Sequence, residues 1–287
     1  MRGPGKQAAF TLLELITVIV LLGVLAAGAG LLITTPIDAY NDQLRRQQLV
    51  DQAEMALRQI ARDVRRALPN SIRTSTVGAG WALELVNTID GARYRDEIGG
   101  VFVNDTDILG FSASDSDFNF LGQFNFLSIG ALAASQRLVI YNTIPANIYS
   151  DAVLSPNPGI ITPAATTLTL SNNGIEHHIN MNPAFQFLQQ SPAQRAFIVD
   201  GPISYICNPG TGRITRYSNY AYQIAQPTVA PGGAQNGPVV TQASGCSINY
   251  TAGTPQRGGI LTFQIVLDDS TGESISLLHQ VHVENVP

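Results

Sequence analysis

The chain has 287 residues, of which 45% are hydrophobic and 13% are charged, and its formal net charge is −5 at pH 7. This length allows one large domain or two small domains beyond a membrane segment. The acidic balance gives no electrostatic footprint for nucleic acid, so the composition argues against a nucleic-acid-binding protein.

The N-terminus combines a short basic leader with a long apolar run. Arg2 and Lys6 precede the run, and Glu14 is its only charged residue before Asp38. An apolar helix of about 24 residues is about 36 Å long, which is enough to cross a hydrocarbon core of about 30 Å. The charges on its two flanks favour an N-terminus in the cytoplasm, with the remaining chain carried across the membrane.

A cleavable secretory signal and an ordinary signal-anchor are the two alternatives for this segment. A secretory signal has an apolar core of about 7–15 residues followed by small residues at its cleavage site. Here the apolar run is longer, and the small residues Ala8 and Ala9 come before it. Neither alternative explains a carboxylate at Glu14.

The segment resembles the class III signal of type IV prepilins and type II secretion pseudopilins. The residues that carry the resemblance are Ala9, Phe10 and the following Thr11-Leu-Leu-Glu14. The family usually has Gly where this chain has Ala9. The resemblance implies that a prepilin peptidase cleaves between Ala9 and Phe10 and methylates the new amine of Phe10.

The resemblance also implies a role for Glu14 in subunit assembly. An ionised side chain within a bilayer costs a few kcal/mol, so such residues are usually paired and functional. In pilin-like filaments this carboxylate pairs with the N-terminal amine of a neighbouring subunit, here the methylated amine of Phe10. The alternative is a carboxylate that only reaches back to the membrane surface.

A second helical pattern follows the membrane segment. Residues 37–68 contain no Pro or Gly, and Pro69 predicts the end of the helix. Pro36 predicts a kink. Apolar residues recur at steps of three and four, which predicts one buried stripe, made of Ala53, Ala56, Leu57, Ile60, Ala61, Val64 and Leu68. Glu54 and Arg58 are spaced for an ion pair on another face.

From residue 70 onward, short apolar or alternating segments are separated by turn residues, which predicts strands. The clearest pattern is a hairpin, in which residues 261–267 and 275–283 alternate on either side of a turn at 268–272. Other predicted strands are residues 82–87, 100–103, 136–141, 167–170, 197–199, 203–207, 213–217 and 220–224.

The chain has two cysteines, Cys207 and Cys246, and both lie in the part predicted to be exported. An oxidising compartment favours a disulfide, and two cysteines allow only one pairing. No His/Cys spacing typical of a zinc site accompanies them.

The remaining candidates for site chemistry are weak. Asp115–Asn119 begins like a calcium loop, but Phe120 and Phe126 occupy positions that need Gly and Glu. We therefore expect a polar surface loop, with an irregular calcium site that includes Asp105 or Asp107 as the alternative. Residues 176–178 are expected to form a solvated turn, and His279, unlike His282, to face the core.

No catalytic or nucleotide-binding motif is present in the sequence. We therefore expect no enzyme activity, no cofactor and no metal.

Within the pilin class, the chain resembles minor pilins of the MSHA (mannose-sensitive haemagglutinin) system of the MshO type. These are relatives of PilW minor pilins and of the J pseudopilin of type II secretion. The resemblance rests on the leader and on residues 53–58, 60–63, 65–71, 202–207 and 277–287. It implies an α+β, pilin-like fold, in which a long N-terminal helix with a transmembrane half and an amphipathic half packs on a β-rich globular head.

The predicted organisation has four parts. Residues 1–9 form a cleaved leader, 10–35 a transmembrane and assembly helix, 36–69 an amphipathic helix that continues into the head, and 70–287 a periplasmic β-rich domain. The implied partners are other pilin and minor pilin subunits, the prepilin peptidase and an inner-membrane assembly platform. The implied location is the bacterial inner membrane, with a single pass, and then the assembled pilus.

Three functions remain open at this point. The first is a minor pilin that helps initiate or cap a type IV pilus. The second is a J-like pseudopilin of type II secretion. The third is a membrane-tethered periplasmic binding or adhesion domain that never polymerises.

Overall fold

The computed structural model of the chain describes residues 11–98, 108–172, 174–253, 257–284 and 287, without the side chains of residues 30–35. The chain divides into two compact units, Met1–Val50 and Asp51–Pro287. A helix, α1, runs without interruption from Leu12 to Arg65 and includes Pro36. It therefore contributes to both units.

In the second unit, α1 buries the stripe that its sequence predicts. All seven residues of that stripe are at most 4% exposed; six of them lie on α1, and Leu68 lies just beyond its end. Glu54 and Arg58 form the predicted ion pair at 3.1 Å on the solvent side. The prediction of an amphipathic helix is thus confirmed for the part that lies in this unit.

The helix ends at Arg65, three residues before the predicted end at Leu68. The backbone of residues 66–68 pairs instead with the long strand β2, Gly80–Arg93. Leu68 N–H donates to the Val86 carbonyl at 2.8 Å, and Ala67 pairs with Asn87. Because the residue before a proline avoids the helical region, Pro69 releases Leu68 for this pairing.

Among the described residues, the largest sheet has six strands, all paired antiparallel. Its strands are β1 (Arg73–Val77), β2, β5 (Arg137–Ile140), β8 (Arg195–Asn208), β9 (Arg213–Ser218) and β10 (Gln235–Val240). Residues 197–199 and 203–207 were predicted as two strands but belong to β8 alone. At the break between them Asn87 pairs with Gly201 and Thr88 with Val199, so Asp200 is the extra residue of a bulge.

A second sheet has four strands in the order β3-β7-β6-β4. The strands are β3 (Asp115–Asn119), β4 (Gly130–Ala131), β6 (Thr167–Asn172) and β7 (His177–Phe185). It packs in a core rich in aromatic rings, among them Tyr94, Phe118, Phe120, Phe185 and Phe187. Rings such as Phe118 and Phe120, with centroids 5.0 Å apart, bury much apolar surface per residue.

The third sheet contains the predicted C-terminal hairpin. Its strands are β11 (Ala243–Thr251), β12 (Gly259–Asp268) and β13 (Ser274–Val283), in that order. Alternate residues of β12 are buried from Gly259 to Leu267, as expected for a sheet that buries one face. The hairpin prediction is confirmed.

Other elements also differ from the sequence-based expectations. A helix, α2, spans Pro145–Leu154 and was not predicted. Residues 220–224 were predicted as a strand but form a loop. The carbonyls of Gln223 and Ile224 in this loop accept hydrogen bonds from the Arg73 guanidinium at 2.8 and 2.6 Å. These bonds take the place of the backbone pairing that a strand would have. The predicted strand at residues 100–103 lies outside the described residues.

The described residues thus contain a long N-terminal helix and a domain built from antiparallel sheets. The predicted α+β, pilin-like fold class is confirmed.

Asp63 ties the second-unit part of α1 to the large sheet. Its Oδ2 accepts a hydrogen bond from the Tyr205 hydroxyl and another from Arg216 Nε, both at 2.7 Å. The Asp63 side chain is only 14% exposed. The shared carboxylate keeps Arg216 charged and raises its pKa despite burial, while burial and the Asp63 charge raise the pKa of Tyr205.

We expect Asp63→Asn to lower the free energy of unfolding by about 1–3 kcal/mol, because two buried donors lose a charged acceptor. The matched control is Glu54→Gln on the same helix, where the exposed pair contributes about 0.5 kcal/mol or less. Chemical denaturation of the detergent-solubilised chain measures both. Equal effects of the two substitutions would contradict the anchoring role of Asp63.

Candidate assembly site

Thr11 forms the start of α1. Its carbonyl accepts the first helical hydrogen bond, from Leu15 N–H at 3.2 Å. Its Oγ1 accepts a second bond, from Glu14 N–H at 3.3 Å. The first N–H groups of a helix have no partner within the helix, and a Thr side chain at the cap position satisfies one of them.

Glu14 occupies the third helical position, so Thr11 and Glu14 have the spacing of a capping box. A negative side chain in the first turn also interacts favourably with the positive end of the helix dipole. Glu14 therefore has a role within its own helix as well as the intermolecular role that the resemblance implies. This local role was not predicted, although the Thr-x-x-Glu spacing indicates it.

The first half of α1 exposes an apolar surface. Within the described residues, Leu12–Ala29 is the only segment that is long and apolar enough, by length and composition, to cross a membrane, and none of it is buried. The Thr17 hydroxyl donates to the Glu14 carbonyl at 3.0 Å, which satisfies a polar group within this stretch. The segment could therefore anchor the chain in a membrane.

The predicted site residues fall into separate places. Ala9 and Phe10 lie outside the described residues, so the structure gives no geometry for leader cleavage or methylation. Glu14 belongs to the first unit, and its side chain is exposed. Cys207 and Cys246 belong to the second unit, where they form a disulfide. This bond joins β8 of the six-stranded sheet to β11 of the three-stranded sheet.

The calcium-like segment is a strand rather than the expected polar loop. Asp115–Asn119 forms β3 and pairs with β7. The carboxylate of Asp115 accepts a hydrogen bond from Gly110 N–H at 2.7 Å. No group of three or more His, Cys, Asp or Glu residues that could hold a metal occurs in the described part of the chain. Asp105 and Asp107 lie outside it.

The expected solvated turn at residues 176–178 is wrong. Glu176 and His177 are 5% and 4% exposed, and Glu176 forms an ion pair with Arg95. His177 Nδ1 accepts a hydrogen bond from Phe124 N–H at 3.0 Å, so this nitrogen carries no proton. Burial lowers the pKa of the imidazole, with the nearby charge of Asp90 acting in the opposite direction.

The two C-terminal histidines lie on opposite faces of β13. His282 is exposed and His279 is half-buried, with its ring centroid 5.7 Å from that of Phe263. The predicted facing of both residues is confirmed, although His279 is less buried than a core residue.

A buried polar network between β1, β2 and the 219–224 loop was not predicted from the sequence. Glu84 is fully buried, 2.6 Å from Arg73 Nε, and it accepts a hydrogen bond from the Tyr220 hydroxyl at 2.9 Å. Burial raises the pKa of Glu84, and Arg73 opposes that rise. The carboxylate is held by these partners, so the network fixes the loop to the sheet. The only sequence signal is a charged residue within an apolar strand.

Residues 4–30 match the family described as the prokaryotic N-terminal methylation motif. This motif is prepilin-type, and Glu14 and the apolar part of α1 lie inside the match. The motif indicates a type IV pilin-like or pseudopilin-type protein. The motif implies processing by a prepilin peptidase and assembly with other pilin subunits, and it points to a structural subunit rather than an enzyme.

No curated protein and no solved structure matches the chain. The match to the methylation motif ends at residue 30, so the second unit lies entirely outside it.

The lowered pKa of His177 sets a pH dependence of stability. In the unfolded chain, the His177 imidazole takes up a proton near pH 6.5, whereas in the folded chain it does so only at lower pH. The stabilisation that neutral His177 provides is therefore present above about pH 6.5 and is lost as the pH falls from there toward the folded pKa. The loss can reach at most about 1.4 kcal/mol per pH unit.

We expect His177→Asn to flatten this acid-side loss of unfolding free energy. His282→Asn, at an exposed position of β13, is the control and should leave the pH profile unchanged. Denaturation curves recorded at a series of pH values measure both. If the unfolding free energy of His177→Asn falls with pH as steeply as that of the wild type, the pH dependence does not come from His177.

Proposed function

We propose that the chain is a minor pilin of an MSHA-like type IV pilus, held by its N-terminal helix and helping to initiate or cap the filament. The observation that carries the proposal is Glu14, an exposed carboxylate within a methylation motif, at the start of an apolar helical segment of which no part is buried. The expected partners are other pilin and minor pilin subunits, the prepilin peptidase and the inner-membrane assembly platform.

In this proposal, the charge of Glu14 supplies the driving force for the assembly of subunits. A carboxylate within a bilayer costs a few kcal/mol, and less near the interface. After cleavage between Ala9 and Phe10, a neighbouring subunit would present the methylated amine of its Phe10. Pairing of this cation with Glu14 offsets the cost only when the helices pack side by side, so the pairing favours assembly and fixes the register of the subunits.

Two features of the second unit, together with the charges of the leader, support the minor role and the location. It spans Asp51–Pro287, and a head of this size suits a subunit present in few copies, by the resemblance to minor pilins. Its Cys207–Cys246 disulfide fits an oxidising periplasm. The basic residues of the leader, Arg2 and Lys6, favour a cytoplasmic N-terminus.

A pseudopilin of a type II secretion system is the second candidate, because the methylation motif is common to both classes. In that case the same helix and the same Glu14 would build a short pseudopilus. Deletion of the gene distinguishes the two, since a minor pilin supports piliation and a pseudopilin supports release of secreted proteins.

We expect mass spectrometry of the chain purified from its own membranes to show a mature N-terminus that begins at a methylated Phe10. The prepilin peptidase cuts on the cytoplasmic side of the membrane, where the leader lies in this proposal. A strain without the peptidase is the control and should yield residues 1–9 intact. An intact Met1 in the presence of the peptidase would instead indicate a tethered domain that does not polymerise.

The two roles of Glu14 can be separated by substitution. Glu14→Gln keeps a side chain that suits the capping box but removes the charge. Thr11→Ala removes the cap hydroxyl, at a cost of about 0.5–2 kcal/mol to the helix start, but keeps the charge. If charge pairing drives assembly, Glu14→Gln should abolish incorporation into sheared filaments and Thr11→Ala should retain it.

Immunoblots of the filament and membrane fractions measure this outcome. Both variants should remain in the membrane fraction, because the apolar run is intact. Normal incorporation of Glu14→Gln would contradict the charge-pairing mechanism.

A further inference from the structure

Strand β13 forms one edge of the three-stranded sheet. In the described part of the chain, β12 pairs with one side of β13 and no strand pairs with its other side. The unpaired N–H and C=O groups along an edge strand are a template for a strand from another chain. Proteins usually prevent such pairing with short edge strands, charged residues, prolines or bulges.

β13 has none of these protective features. It spans Ser274–Val283 and pairs with β12 at ten consecutive positions without a shift in register. Its sequence contains no Lys, Arg, Asp, Glu, Pro or Gly. This long and regular edge strand is therefore open to pairing.

The other edge strands among the described residues are each protected. β1 and β3 have five residues each, and β4 has two. The register of β10 is irregular at Pro238, and that of β11 is irregular between Ala243 and Gly245. β11 is also bonded to the large sheet through Cys246, and residues 160–162 cover β5 with backbone hydrogen bonds. β13 thus differs from every other edge strand in the ranges that the structure describes.

The side chains of β13 are also incompletely covered. On the core-facing side of the strand, Leu277 and His279 are only half-buried. Their partners in β12, Ile265 and Phe263, are at most 1% exposed. On the outer side, Leu278 is 62% exposed. Because exposed apolar surface is unfavourable in water, a strand added at this edge would be stabilised by covering these side chains.

We propose that β13 pairs antiparallel with β13 of a second copy of this chain, so that the two three-stranded sheets form one continuous sheet. The edge alternates apolar and polar residues and carries no Asp, Glu, Lys or Arg. It therefore fits an extended strand with the same alternation and without opposing charges, since directly opposite side chains of paired strands contact each other. β13 itself meets this requirement. The contact is additional to the filament function and does not rest on it.

The exposed Leu278 determines the register of the pair. Directly opposite residues of two antiparallel strands lie on the same face, with Cβ atoms about 4.5–5.5 Å apart. When Leu278 lies opposite Leu278 of the second copy, the two exposed apolar side chains cover each other. Ser276 then lies opposite Gln280 of the second copy, which is a polar pair on the outer face. Ile275 lies opposite Val281 of the second copy, which is an apolar pair on the core-facing side.

Cysteine cross-linking tests this register. Cys207 and Cys246 are bonded to each other and are the only cysteines of the chain, so an introduced cysteine is the one free thiol. The experiment uses the full-length chain in detergent micelles, mild oxidation and a non-reducing denaturing gel. In the Leu278→Cys variant the thiols of the two copies lie directly opposite each other, close enough for a disulfide. We expect this variant to form a covalent dimer that a thiol reductant separates.

The matched control is Ser276→Cys, at a second exposed position on the same face of β13. In the proposed register its two thiols lie four residues apart along the strands, which is about 14 Å and too far for a disulfide. We expect at least about tenfold less dimer than from Leu278→Cys. The double variant Ser276→Cys/Gln280→Cys places a thiol opposite each introduced cysteine and should restore the dimer.

All three substituted positions are exposed, so the substitutions leave the core of the sheet intact. Random collisions within micelles would cross-link Leu278→Cys and Ser276→Cys equally, and this result would overturn the proposal. A Leu278→Cys chain that stays monomeric would also overturn it, and so would a double variant that forms no dimer.

Discussion

The rest of this molecule depends on one constraint, which is that the apolar first half of α1 is exposed within its own unit. No part of Leu12–Ala29 is buried. Contact between so much apolar surface and water is unfavourable, so this surface needs lipid or other apolar helices around it. Glu14 adds a charge that lipid cannot neutralise. A partner helix with a positive terminus satisfies both requirements, whereas lipid satisfies only the first.

The second unit deals with its internal charges differently. Three carboxylates that are mostly or fully buried each have an arginine within the same unit, in the pairs Asp63–Arg216, Glu84–Arg73 and Glu176–Arg95. A buried charge left alone is costly. Two of the pairs, Asp63–Arg216 and Glu176–Arg95, also join segments that are far apart in the chain. Arg137 departs from this pattern, since its partners are carbonyl groups.

Local sequence patterns predicted the parts of the fold whose burial follows from spacing along the chain. The stripe from Ala53 to Val64 and the alternation in β12 are of this kind. The 220–224 loop was mistaken for a strand because its carbonyls bind Arg73, which lies about 150 residues away in sequence. His177 was mistaken for a surface residue because its burial depends on Phe124 and neighbouring rings from another segment.

The candidate site was predictable only in part. A charge within an apolar run identified Glu14 directly. The cap formed by Thr11 was equally visible but was overlooked. The buried network of Glu84, Arg73 and Tyr220 could not be predicted, because it joins β1 and β2 to a loop that lies far along the chain.

The Cys207–Cys246 bond has a consequence for durability against proteases. It encloses β9, β10 and the Gly- and Pro-rich stretch between them within one covalent ring. A single cut anywhere in this ring produces two polypeptides that remain joined through sulfur. A nicked head therefore keeps its C-terminal sheet attached, and its two fragments separate on a denaturing gel only after a thiol is added.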